Sequence, residues 1–150
     1  MSMRVVYTLF DKLLRDPARI ANAQKATLDA SRPLFGLSGV HGLYGSKEWW
    51  ENIYNGTIPR REVSGIIVEL VFAGMDSRWG DEVNTFLLKL DDGSIVHESI
   101  YTNAKPDERL FRIGARVKIV YVLLERRKQP APDGGVNYSN TVFEMAVSAP

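Results

Sequence analysis

Phe111–Glu125 reads Phe-Arg-Ile-Gly-Ala-Arg-Val-Lys-Ile-Val-Tyr-Val-Leu-Leu-Glu. After Gly114, the residues Ala115, Val117, Ile119, Tyr121 and Leu123 fall on one side of an alternating pattern, and Arg116 and Lys118 fall on the other. Side chains along a strand alternate between faces, so a period of two in a run rich in Val, Ile and Tyr predicts a half-buried β-strand.

Working outward, the same signal predicts strands over 62–73, 83–90, 95–101 and 138–147, with 115–125 between them. In Glu62–Ala73 one face carries Ile66, Val68, Leu70 and Phe72, and the other Val63, Gly65, Ile67, Glu69 and Val71. A glycine inside such a run, Gly65, points to a bend or bulge. Asp91-Asp92-Gly93-Ser94 predicts a tight turn that makes 83–90 and 95–101 a hairpin. Residues 102–113 read as a polar connector with a helical turn near Pro106. Arg126–Asn137, with two prolines and Asp133-Gly134-Gly135, reads as a polar loop.

The fold class that follows is mainly β (α+β). It is a small five-stranded antiparallel barrel, OB-like or SH3-like, with an N-terminal helical layer and a short aromatic helix. Ile66, Val68, Leu70, Phe86, Leu88, Val117, Ile119 and Tyr121 are its expected core. The expected organisation is one domain, with residues 1–56 a helical extension packing on a barrel of residues 57–150.

The N-terminal third carries helical spacing. Val6, Leu9, Phe10, Leu13 and Leu14 make one apolar stripe over 4–15. Asp16-Pro17 is a cap followed by proline at a first helical position, opening a second helix over 17–30. Gly36, Gly39, Gly42 and Gly45 then recur every third residue. That spacing matches a collagen triplet, but the run holds no proline and is far too short. It reads as an irregular connector lying against the core or, alternatively, as a partner loop. Ser46 caps a helix over 47–55 that holds Trp49, Trp50, Ile53 and Tyr54. Trp49 shares a face with Ile53, and Trp50 shares the adjacent one with Tyr54.

Composition bounds function. Among 150 residues, 45% are hydrophobic and 25% charged, and net charge is +1. A chain of this size buries about 70% of its extended surface, enough for a core without metal or disulfides. The weak charge balance argues against a dedicated duplex-DNA binder. With no cysteine, disulfides, zinc knuckles and thiol chemistry are excluded. No window is apolar enough for a membrane span. Val5–Phe10 is too short for the core of a signal peptide, so the expected setting is the cytoplasm.

Chemistry is sparse. Nucleophilic catalysis needs a nucleophile beside a base that a third group orients. The only histidines are His41 and His97, and neither has such a constellation or a metal-ligand spacing. Asp91-Asp92 belongs to a turn. Gly42–Lys47 lacks phosphate-loop spacing. No cofactor and no metal are expected, and the chain reads as no enzyme. It reads as a binding or adaptor module, monomeric or homodimeric, for an unidentified protein partner. The candidate partner-binding residues are Trp50, Tyr54, Tyr44 and His41, because aromatic side chains are typical interface anchors. The alternative is a single-stranded nucleic-acid binder using Lys89, Arg116, Lys118, Arg126 and Arg127 as a cationic groove, with Trp79 and Tyr101 as stacking platforms.

Overall fold

A computed structural model describes residues 2–72, 83–130 and 136–150, with the side chains of 128–130 outside that description. The elements in order are β1 (Met3–Thr8), α1 (Leu9–Arg15), α2 (Pro17–Leu28), α3 (Lys47–Tyr54), β2 (Arg60–Val71), β3 (Thr85–Leu90), β4 (Ile95–Ser99), a 3-10 helix (Lys105–Leu110), β5 (Arg116–Pro130) and β6 (Val136–Ser148). Six antiparallel strands form one open sheet in the order β1-β6-β5-β2-β3-β4. The expected five-stranded barrel is therefore corrected twice: among the described residues the strands number six, and they form an open sheet.

The extra strand comes from a segment whose spacing also fits a helix. Arg4-Val5-Val6-Tyr7-Thr8 is rich in β-branched and aromatic residues, and it pairs antiparallel with Glu144–Ser148 of β6. Only Leu9–Arg15 of the expected 4–15 helix is helical. Long-range pairing decided the matter, because strand preference depends on neighbours more than on local sequence. The outer edge of β1 is then filled by Asn103. Its N–H donates to the Val6 carbonyl (2.9 Å), its Oδ1 accepts from the Thr8 N–H (2.8 Å), and its Nδ2 donates to the Thr8 carbonyl (3.3 Å). Covering part of an edge in this way leaves fewer free backbone groups for another chain to pair with.

β2 is out of phase with the sequence expectation. Its buried positions are Gly65 and Ile67, whereas Ile66 and Leu70 are half-buried and Val68 is exposed. Before Val68 the inward side is taken by Gly65 and Ile67 rather than Ile66; a bulge then resets the phase, because Ile67 pairs with Leu88 and Glu69 with Leu87, so that Val68 is an extra residue and Leu70 pairs with the buried Phe86. An inserted residue flips the faces beyond it. Gly65, the expected bulge site, has another duty, because a Cβ there would collide with the carbonyl oxygen of Lys89. The remaining expected core residues, Phe86, Leu88, Val117, Ile119 and Tyr121, are buried. The Asp91–Ser94 turn forms: Leu90 N–H donates to the Ser94 carbonyl (2.9 Å), and Gly93 has φ +88°. Of the expected 126–137 loop, residues 126–130 belong to β5 and 136–137 to β6, and 131–135 lie outside the described residues.

The chain divides into two compact units. One comprises Met1–Thr8, Glu62–Val120 and Glu144–Pro150; the other comprises Leu9–Arg61 and Tyr121–Phe143. The first has a core of Val6, Ile67, Phe86, Leu88, Val117, Ile119 and Met145. The second has Leu9, Leu13, Trp49, Ile53, Ile58, Val122 and Leu124, and it holds α1, α2 and α3.

Candidate partner-binding surface

Within the second unit, α3 starts at Ser46, whose hydroxyl accepts from the Trp49 N–H (3.2 Å). It ends with Gly56 at φ +85°, and the Gly56 N–H donates to the Ile53 carbonyl (3.3 Å). Between these caps the helical spacing divides the aromatic residues. Trp49 is 2% exposed and Ile53 fully buried, whereas Trp50 is half-buried and Tyr54 60% exposed. Consecutive residues on a helix point about 100° apart, so one surface cannot bury both tryptophans.

Trp50 is the centre of a ring cluster drawn from three elements. Phe10 of α1 meets it edge-on with centroids 5.5 Å apart, and Tyr54 stacks on it at 6.2 Å. Phe143 of β6 lies 6.3 Å from both Trp50 and Tyr54. Trp49 supports Trp50 from below at 4.7 Å, and Tyr44 supports Trp49 at 4.7 Å. Phe10 is 49% exposed, and Leu14, four residues on along α1, is exposed too. Phe10, Leu14, Trp50, Tyr54 and Phe143 thus give this unit an apolar surface that folding alone leaves partly in water. Contiguous exposed apolar patches on soluble proteins mark interaction sites. Three ion pairs form along these helices: Arg15 with Asp11 (3.2 Å), Lys12 with Asp16 just beyond α1 (3.7 Å) and Lys47 with Glu51 (3.9 Å).

The sequence-derived partner residues divide accordingly. Trp50 and Tyr54 lie on the surface. Tyr44 is buried beneath it, and His41 is half-buried with its carbonyl accepting from Asn52 Nδ2 (3.0 Å). His41, Tyr44 and Trp49 line a cavity of about 20 Å³, room for roughly one water molecule. The sequence spacing places Phe10 in the apolar stripe of 4–15 and Phe143 within the strand expected over 138–147, and neither pattern shows that these rings join Trp50 and Tyr54.

The Gly-rich connector is held in place. Leu37 bridges antiparallel to Arg126, the Ser38 N–H donates to the Glu125 carbonyl (2.9 Å), and the Arg127 N–H donates to the Gly36 carbonyl (3.0 Å). All four of its glycines have positive φ.

Most of the described nucleic-acid candidates are engaged with protein groups. Arg116 donates to Ser64 Oγ (3.2 Å) and lies 3.8 Å from Asp91, and Lys118 lies 3.4 Å from Glu62. Arg127 Nη1 donates to the carbonyls of Ala26 and Asp29, both at 2.8 Å, closing the C-terminal end of α2. Tyr101 packs on Tyr7 with centroids 5.1 Å apart. Lys89 and Arg126 are exposed, and Trp79 lies outside the described residues. Among the described residues, no three His, Cys, Asp or Glu side chains are grouped to hold a metal, and no helix is long and apolar enough to cross a membrane.

Residues 3–148 match the family model described as Immunity protein RhsI2. A comparison with curated proteins finds no match.

Proposed function

The chain belongs to the RhsI2 immunity protein family, and from that premise we propose that it neutralises a partner toxin protein by binding it through the ring cluster around Trp50. The observation that carries this reading is the exposed surface of Phe10, Trp50, Tyr54 and Phe143. Its rings are held by one another rather than by solvent-side partners. A surface ordered before binding loses little side-chain freedom when a partner arrives. Trp and Tyr at the centre of such a patch are the residue types that dominate interface energies. The inhibition is by occupancy, with no covalent step, in keeping with a sequence that carries no catalytic constellation.

The nucleic-acid reading draws less support, because Arg116, Lys118 and Arg127 already serve contacts within the protein.

The test begins with capture of the partner from the source cells, its identification by mass spectrometry, and its purification. The expected result is a toxin whose activity this protein suppresses at equimolar ratio. Calorimetry should then show Trp50→Ala and Tyr54→Ala binding at least tenfold more weakly, a typical effect for hot-spot aromatics (about 2 kcal/mol or more). Wild-type affinity in both variants would remove the aromatic surface from the interface.

A further inference from the structure

Arg126 and Arg127 are neighbours on β5, and neighbouring strand residues point to opposite faces. Arg127 is committed to the carbonyls that end α2. Arg126 is exposed, and among the described residues no carboxylate pairs with it. Together with Leu34, Phe35, Gly36, Leu37 and Ser139 it lines a cleft of about 240 Å³.

The walls of this cleft are fixed before anything binds. The Leu37–Arg126 bridge and the Arg127–Gly36 hydrogen bond tie one wall to β5. Gly36 has φ +87°, and a Cβ there would lie 3.1 Å from the Ala26 side chain, so the connector sits directly against α2. The Arg32 guanidinium lies over the Phe35 ring at 5.6 Å and steadies it. Leu34 and Phe35 are both more than half exposed.

Arg126 and Ser139 are the residues with polar side chains among those that line the cleft, and Ser139 Oγ lies 3.5 Å from Thr141 Oγ1. The unit that contains the cleft, Leu9–Arg61 with Tyr121–Phe143, has eleven Lys and Arg against seven Asp and Glu, a net of +4 in a chain whose total is +1. Arg126 and Arg127 point to opposite faces of β5, so these two do not form a row of cations on the cleft side.

We propose that this cleft receives an acidic side chain of the partner toxin, with aliphatic neighbours. The carboxylate would meet the guanidinium of Arg126 and the hydroxyl of Ser139, and the aliphatic groups would pack on Leu34, Phe35 and Leu37. A guanidinium presents paired donors that match a carboxylate, and such contacts set partner choice and association rate. This inference rests on the toxin-binding reading, but it concerns different residues.

The experiment uses the purified toxin and calorimetry at low and high salt, with Arg126→Gln and Arg126→Glu beside Trp50→Ala. Arg126 is exposed, so both of its variants should melt with the wild type. Arg126→Gln should weaken binding roughly tenfold and Arg126→Glu more, and both should show a shallower salt dependence than wild type. If both Arg126 variants bind like wild type while Trp50→Ala is weakened, the cleft is not a toxin site and the wider reading survives. If the wild type itself fails to bind the toxin, both readings fall together. Arg126-dependent binding of oligo-dT without toxin binding would overturn the proposal in favour of nucleic acid.

Discussion

A methyl group on Gly42 would sit 2.7 Å from the backbone nitrogen of Trp49. The connector therefore passes so close to the first turn of α3 that only hydrogen fits between them. Gly42 also has φ +103°, where a side chain is strained whatever the space. The contact packs the connector directly on the end of α3 that carries the buried Trp49.

Gly42→Ala is accordingly expected to destabilise the protein by about 1–3 kcal/mol from backbone strain, and more from the clash. Urea unfolding measures it. Unchanged stability would mean that the connector can move away from α3 at no cost.

Trp49 and Trp50 should respond differently to truncation. Removing a buried Trp costs about 3–5 kcal/mol, a large share of a domain's total of about 5–15 kcal/mol. Trp49→Ala should therefore lower the melting temperature sharply. Trp50→Ala loses ring contacts worth about 0.5–1.5 kcal/mol each, but part of that ring is already in water, so its effect on stability should be smaller. Equal loss of stability in the two variants would make the cluster a core feature and remove the argument for a surface role.

Arg127→Ala should act on stability and leave partner binding alone. It leaves the carbonyls of Ala26 and Asp29 without their donor, and hydrogen bonds to charged groups contribute about 1.5–3 kcal/mol. Amide exchange should quicken first in the last turn of α2. Unchanged exchange there would show that the end of α2 does not depend on this side chain.

Acid should loosen the β3–β4 turn through Asp92. The Ser94 hydroxyl, and then the Ser94 N–H, hold its carboxyl below the ordinary 3.8. A carboxyl depressed by folding contributes stability that is present above its unfolded value and lost as pH falls through its lower folded value. The Ser94 amide resonance should therefore titrate below pH 3.8, and Asp92→Asn should abolish the step. A titration at or above the ordinary value would show that the hydrogen bonds do not favour the charged form.

Much of this molecule could be read from local patterns. Period-two alternation in 115–125 located β5, because a strand half in the core must alternate. Asp91-Asp92-Gly93-Ser94 located the hairpin, because Gly93 supplies the positive φ that the turn needs. Ser46 and Gly56 bounded α3, and helical spacing separated Trp49 from Trp50. These features depend on a few neighbouring residues and on backbone geometry.

Other features were decided only by residues distant in sequence. Met3–Thr8 became a strand because β6 offered it an edge, and no local spacing records an edge. The phase of β2 reversed at Val68 because β3 pairs around it. Phe10 and Phe143 joined Trp50 and Tyr54 although they lie in separate elements, one near each end of the chain. Arg127 was set apart from Arg126 by the end of α2, which lies about a hundred residues away in sequence. The sequence by itself determined β5, the Asp91–Ser94 turn and the place of α3, and which helix carries the aromatic residues. Only the tertiary structure decided which edges pair and which rings share a surface, because those depend on long-range contacts whose free energy no local pattern encodes.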